Sequence, residues 1–260
     1  VSAERNLYDF FLDARRSLVT LWQDQLPLSE LRQIAEERVL ERTGGGAPVR
    51  YLGELIGRNA ISSIPELVLD PGLARALGRP EPALEGLSEH PVVAALLPPQ
   101  FGIMSFFLQE GMEEPGFSLE DFSVLRNALR PAQQLVRSGF LSSEFDVLES
   151  AAFGFHGVTL HARHLDHFQI QYLTELCRDY KMSAVVIADS EATLGRVLET
   201  DAPYLGVWGY GARDLMRDFS VFDKLSCRLP STCVPFAFYP NVADSDRELL
   251  RVLGFRAVFC

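Results

Sequence analysis

From residue 91 onward, short apolar runs of strand length alternate with amphipathic segments of helical length. No other feature of the chain restricts its fold so strongly. The apolar runs fall at residues 92–97, 102–108, 134–141, 157–165, 184–190, 204–210, 233–239 and 256–260. Amphipathic segments occupy 119–129, 143–152, 167–180, 191–199, 218–229 and 244–253. Strand followed by helix, repeated, builds parallel β/α units, and eight strands predict an α/β fold of the (β/α)8 TIM barrel type. One connection breaks the rule. Only Pro98, Pro99, Gln100 and Phe101 separate the first two runs, whereas a parallel crossover needs about a dozen residues. Either the first helix is missing or one of those two strands is assigned to the wrong segment. The last run ends at Cys260, so the expectation is a barrel whose first and last helices are short or absent.

Residues 1–90 read differently. Leu7, Phe10, Phe11, Leu18 and Leu21 recur at helical spacing, as do Leu28, Leu31, Ile34, Ala35 and Val39. Gly44, Gly45 and Gly46 then break the chain, short helical pieces are expected at 51–56 and 65–76, and a Pro/Glu-rich stretch around Pro80 and Pro82 follows. The chain thus divides into a helical N-terminal extension, residues 1–90, and a barrel, residues 91–260. The extension would either cover one end of the barrel or offer its helices to a protein partner.

Composition narrows the function classes. With 260 residues, 47% hydrophobic and 23% charged, the chain is too apolar to stay disordered. Lys and Arg number 24 against 35 Asp and Glu, a net charge of −11 that repels phosphate backbones, so no nucleic-acid partner is expected. No apolar run reaches the roughly 18 residues that span a bilayer, and no signal pattern follows Val1, so the expectation is a cytoplasmic protein without a membrane partner. Cys177, Cys227, Cys233 and Cys260 lack paired C-x-x-C spacing and suggest neither a disulfide scaffold nor a zinc ribbon. His156, His161, His164 and His167 cluster in sequence, but strand alternation sends His161 and His164 to opposite faces. No metal and no cofactor are expected.

Within residues 173–215 a series of short matches runs in order. Leu176-Cys177-Arg178-Asp179-Tyr180-Lys181-Met182 precedes a strand, Glu191 opens the next helix, and Gly206-Val207 and Arg213-Asp214-Leu215 follow. With Arg137-Ser138-Gly139-Phe140 and Val92-Val93-Ala94-Ala95, this resembles indole-3-glycerol phosphate synthase, a (β/α)8 lyase of tryptophan biosynthesis. Family chemistry closes an indole ring and needs a general acid, a general base and a phosphate anchor at the C-terminal mouth of the barrel. The resemblance puts the family's first-strand I-A-E-I-K glutamate and lysine on Ala95 and Leu97. It puts the third-strand lysine, the implied general acid, on Ser138, the fifth-strand glutamate on Ile187 and the sixth-strand asparagine on Trp208. The seventh-strand S-E-S-G falls on Ala237-Phe238-Tyr239-Pro240, where Pro240 removes a backbone donor from the phosphate loop. Arg213 alone matches a substrate-binding position, beside an insertion at Gly209-Tyr210-Gly211 read as a flexible loop. The resemblance implies the scaffold with its acid, base and phosphate anchor replaced: a pseudoenzyme serving as a structural or interaction module.

Strand parity supplies a second reading. If Val158, Leu160 and Ala162 face the surrounding helices, then Thr159, His161 and Arg163 point into the barrel. Asp189 has the same inward parity on the next strand. His161, Arg163 and Asp189 would then meet at the mouth near Trp208 and Tyr239. There Arg163 would hold a small anionic ligand and His161 would act as acid or base, oriented by Asp189. The blander alternative is an Arg163–Asp189 ion pair and a satisfied histidine plugging an inactive barrel. Retained family lyase activity is the third reading.

Overall fold

The computed structural model describes residues 6–44, 51–57, 61–68, 75, 77, 102–107 and 133–260. In chain order the strands are β1 (Ser62–Ile64), β2 (Glu66–Val68), β3 (Ile103–Phe107), β4 (Gln134–Ser138), β5 (Gly157–His161), β6 (Ser183–Ala188), β7 (Tyr204–Trp208), β8 (Val234–Phe238) and β9 (Ala257–Phe259). The described helices are α1 (Leu7–Gln25), α2 (Leu28–Thr43), α3 (Leu52–Leu55), α4 (Glu144–Ala152), α5 (His167–Asp179), α6 (Glu191–Leu198), α7 (Ser220–Ser226) and α8 (Asp244–Val252). All strand pairs are parallel, in the order β1-β9-β8-β7-β6-β5-β4-β3-β2.

Pro65 explains how this sheet closes. It lies between β1 and β2, which form one continuous stretch of chain. Before it, the strand exchanges bonds with β9: Cys260 N–H donates to the Ile64 carbonyl at 3.0 Å. After it, residues 66–68 pair with β3, and Ser105 N–H donates to the Pro65 carbonyl at 2.9 Å. Glu66 N–H still donates to the Cys260 carbonyl at 2.9 Å, so the strand bonds both neighbours around Pro65, the residue that has no N–H to offer. Counting β1 and β2 as one, eight parallel strands close into a (β/α)8 barrel.

The first barrel strand therefore comes from residues 62–68, inside the segment read as a helical extension. Residues 69–102 separate it from β3, ample for a parallel crossover. The run at 92–97 and the helix expected at 119–129 lie outside the described residues. The helix expected at 65–76 is corrected at its start, where Glu66–Val68 is a strand, while Arg75 is helical. The other seven strands stand where the alternation predicts them.

Local chemistry sets where the helices start. Ser143, Asp166 and Ser190 are N-caps whose side chains accept the N–H three residues on, while Asp146, Gln169 and Thr193 bond back to the cap. These capping boxes end each loop and begin α4, α5 and α6. Period-two burial then divides the interior into two layers. Val158, Leu160, Ala184, Val186 and Ala188 face the helices in an outer core. Val136, Val185, Ile187, Trp208, Phe236, Phe238 and Phe259 fill the barrel itself.

Helix α1 buries Tyr8, Phe11, Leu12, Arg15 and Val19, positions on one stripe of the helix. Leu7, Phe10 and Leu21 of the apolar spacing seen in sequence are instead exposed. The stripe that docks contains an arginine, which a purely apolar pattern leaves out. Arg15 Nε reaches Asp146 Oδ1 at 2.8 Å and its Nη2 reaches Glu149 Oε2 at 2.7 Å. Arg137 Nη1 completes the group at 2.6 Å from the same Glu149 oxygen. Two cations and two anions are thus buried together between α1, α4 and β4. Burial opposes the Asp146 charge. Arg15, Arg137 and donors from Ser143 and Ser142 outweigh it and hold the carboxyl below its ordinary range.

Candidate functional site

Strand parity aims His161 and Trp208 into the barrel, and both are buried there with ring centroids 5.1 Å apart. Into the space beside them the first turn of α1 inserts Tyr8, which is fully buried. Its hydroxyl shares a hydrogen bond with His161 Nδ1. Its ring meets Phe140 at 5.3 Å and Trp208 at 5.9 Å, both edge-on. Phe107 and Phe238 close the remaining sides of Trp208 at 6.5 and 6.2 Å. Burial carries the His161 imidazole down to about 3, against a weaker opposing pull from Asp189, so the ring is neutral at physiological pH. Burial likewise pushes the Tyr8 phenol well above its ordinary value. Neither group is poised near neutrality as an acid or base.

The mouth is tied down as well as filled. Leu7 and Tyr8 N–H donate to the Arg213 and Ala212 carbonyls, each at 3.2 Å, so the start of α1 is bonded to the loop after β7. Asp9 Oδ1 accepts from Arg163 Nε at 2.6 Å and lies 3.1 Å from His164 Nε2. Arg163 also pairs with Asp189, and its guanidinium carbon sits 4.9 Å above the Tyr8 ring. Burial works against the Asp9 charge, but Arg163 and His164 prevail and lower its carboxyl. One guanidinium is thus shared between two carboxylates and an aromatic face, which leaves it poorly placed to hold an incoming anion.

The sequence-derived candidates sort clearly. His161, Arg163, Asp189 and Trp208 do converge at the mouth, although Arg163 stands on a 3-10 turn, Ala162–His164, because β5 ends at His161. Tyr239 does not join them. It packs in the outer layer against Phe219 and Phe222, with Arg217 stacked 4.4 Å from its ring. Arg213 is exposed on the loop after β7. Gly209-Tyr210-Gly211, expected to be flexible, is a tied turn. Gly209 N–H donates to Phe238, Gly211 N–H to Met216, and Tyr210 lies on Trp208 with centroids 4.6 Å apart. A Cβ at Gly209 would come within 2.5 Å of the Phe222 ring, so that close approach requires glycine. The histidines find separate partners: Leu135 N–H for His156, Tyr8 for His161, Asp9 for His164, Glu199 for His167. Among the described residues no group of three or more His, Cys, Asp or Glu is placed to hold a metal. Also among them, no helix is long and apolar enough to cross a membrane.

Sequence reasoning missed Tyr8, Asp9, Phe140 and Glu66. Glu66 accepts from Ser105 Oγ at 3.2 Å, and Ser105 bonds Ser138 in turn, a polar row across three adjacent strands. The alternation Ile64, Glu66, Val68 puts this carboxylate on the inward side, since both flanking side chains belong to the inner core.

Fold and site together define a (β/α)8 barrel whose C-terminal mouth is filled by its own N-terminal helix. The chain is similar to indole-3-glycerol phosphate synthase of Campylobacter jejuni subsp. doylei, 26% identical over 149 residues, which cover 56% of this chain and 57% of that protein. The enzyme of the same name from C. jejuni subsp. jejuni serotype O:23/36 is 26% identical over 129 residues, 48% of this chain and 49% of that protein. The chain thus spans about half the length of the curated relatives it matches. No protein-family profile matches it. Among solved structures, one described as native KDPGal superposes with a TM-score of 0.52 at 14% identity, covering 79% of this chain and 84% of that one. The YdjI aldolase from Escherichia coli K12 gives 0.51 at 12% identity, covering 82% and 80%. These likenesses establish the barrel. The position of the first strand changes one correspondence drawn from the sequence. With the first strand at 62–68, the family's I-A-E-I-K resembles Ile64-Pro65-Glu66-Leu67-Val68 rather than the segment around Ala95 and Leu97. On that resemblance the glutamate of the pattern falls on Glu66 and the lysine on the buried Val68.

Proposed function

We propose that this chain is a non-catalytic barrel related to indole-3-glycerol phosphate synthase, serving as a structural or protein-interaction module. The observation that carries this reading is Tyr8, wholly buried in the barrel mouth between His161, Phe140 and Trp208. A substrate would have to displace that ring and separate Asp9 from Arg163.

The correspondences point the same way. Glu66 is a carboxylate in the family's first-strand position, but the lysine that the resemblance makes its general-acid partner is replaced by Ser138. Where the family has its third-strand lysine, fifth-strand glutamate and sixth-strand asparagine, this chain has Ser138, Ile187 and Trp208. The hydroxyl of Ser138 is engaged with Ser105, and the other two side chains are packed in the inner core.

The competing reading, a small-anion or phosphate binder at His161, Arg163 and Asp189, makes a different prediction in thermal-shift titration. With inorganic phosphate and sugar phosphates, a closed mouth gives a flat response. A saturable rise in melting temperature that disappears in Arg163→Ala would overturn the non-binding reading.

A further inference from the structure

At the opposite end of the barrel, where strands β6 and β7 begin, lies a hollow of about 360 Å3. That is within the range of about 300–1,000 Å3 that small-molecule sites occupy. Met182, Pro203, Tyr51 and Tyr204 give it apolar and aromatic walls, and Thr174 and Arg178 of α5 supply its polar edge. Two hydrogen bonds build the wall that comes from the N-terminal segment. Leu52 N–H donates to Ser183 Oγ at 3.1 Å, and Gly53 N–H donates to the Tyr204 hydroxyl at 3.2 Å. They hold the start of α3, and hence Tyr51, against the underside of the barrel.

Two polar groups here, one buried and one exposed, have no partner among the described residues. Thr174 is 4% exposed, and its Oγ1 has no hydrogen-bond partner among the described residues. An unpaired buried hydroxyl is destabilising. Arg178 lies one helical turn further on, so both side chains emerge from the same face of α5. Its guanidinium has no carboxylate partner among the described residues, unlike Arg32, Arg38, Arg228 and Arg251, which all pair. A free cation, an unpaired hydroxyl four residues away and an aromatic-walled hollow make a complementary set. One side suits an anion and the other suits a flat apolar body.

We propose that this hollow binds a small monocarboxylate with an apolar, planar body. The carboxylate would sit against Arg178 and Thr174, and the body between Tyr51, Met182 and Tyr204. The site is separate from the mouth and does not depend on whether the mouth is catalytic.

Phenylacetate is a suitable probe, with 2-phenylethanol as the neutral control, titrated into the full chain and followed by backbone amide NMR. Saturable shifts centred on residues 174, 178, 183 and 204 are expected. Affinity should fall at least tenfold for 2-phenylethanol and for Arg178→Gln, an exposed substitution that leaves the core intact. Thr174→Val should weaken binding while raising the melting temperature of the free protein, because it removes an unpaired polar atom at constant shape. Absence of saturable binding would overturn the proposal. So would binding that survives Arg178→Gln, or shifts centred on His161 and Arg163.

Discussion

Tyr8 ties the N-terminal helix to the barrel interior through one hydroxyl and one ring, and the two contributions separate by mutation. Tyr8→Phe removes only the bond to His161 and should cost about 1–3 kcal/mol, measured by urea unfolding, because a buried imidazole nitrogen loses its partner. Tyr8→Ala also empties the space between Phe140 and Trp208 and should cost about 3–5 kcal/mol, as large aromatic-to-alanine changes do. Equal losses would mean that the ring contributes nothing to closure. A second residue-scale prediction concerns acid. Burial lowers His156 to about 4 and His161 to about 3, below the ordinary histidine value of 6.5. The unfolded chain therefore takes up these protons first, and stability rises with pH wherever it binds more of them. Stability should be complete above about pH 6.5 and decline steadily as the pH falls toward 4 and then 3. Asp146 and Asp9, both lowered, extend the loss through the carboxylate range. In His161→Gln the fall between pH 6.5 and 4 should be shallower. An unchanged slope would show that His161 is not held neutral by the fold. Parity on β5 made the inward His161 legible in the sequence, whereas Arg163 and Asp189 meet beside it from just past the ends of β5 and β6, where parity no longer applies. What fills the space between them was not legible, because Tyr8 arrives from an element 153 residues away and no local pattern records such a contact.

At the scale of elements, α1 is held by charge as much as by apolar area. Arg15→Ala leaves Asp146 without its guanidinium in a buried site and should destabilise the protein by about 3–5 kcal/mol. Arg15→Met, which keeps the length of the side chain but not its charge, should also be strongly destabilising, and hydrogen exchange should show faster amide exchange along Leu7–Gln25 in both. Near-native stability in Arg15→Met would show that stem packing, not the ion group, docks the helix. Arg15 also explains why helical spacing alone does not give the buried face of α1. Leu7, Phe10 and Leu21 satisfy helical spacing as well as Phe11 and Leu12 do, and only the tertiary partners of Arg15 decide which stripe turns inward. The first barrel strand escaped for a related reason. Ser62, Ser63, Pro65 and Glu66 look unlike a buried strand, since proline is excluded from sheet interiors except where no N–H is required. Closure of the barrel provides such a place at Pro65. The seven remaining strands were legible because parallel strands covered on both faces are nearly continuous apolar runs. The impossibly short connection at 98–101 was itself the sign that one strand had been placed in the wrong segment.

Across the whole molecule, the N-terminal segment contributes to both ends of the barrel. Tyr8 and Asp9 fill and neutralise the C-terminal mouth, residues 62–68 close the sheet, and Tyr51 walls the hollow at the other end. The likeness to a lyase thus extends to the scaffold and, by the resemblance of the first strand, to the position of Glu66, while the barrel mouth is filled from within by Tyr8. The most direct measurement is turnover of the family substrate, an anthranilate-derived deoxyribulose phosphate, by the purified full chain, followed through the fluorescence of indoleglycerol phosphate. No product above the uncatalysed background is expected from the wild-type chain, and none from Glu66→Gln. Product formation by the wild-type chain that is lost in Glu66→Gln would contradict it, because the mouth would then have to open and its one retained carboxylate would have to work.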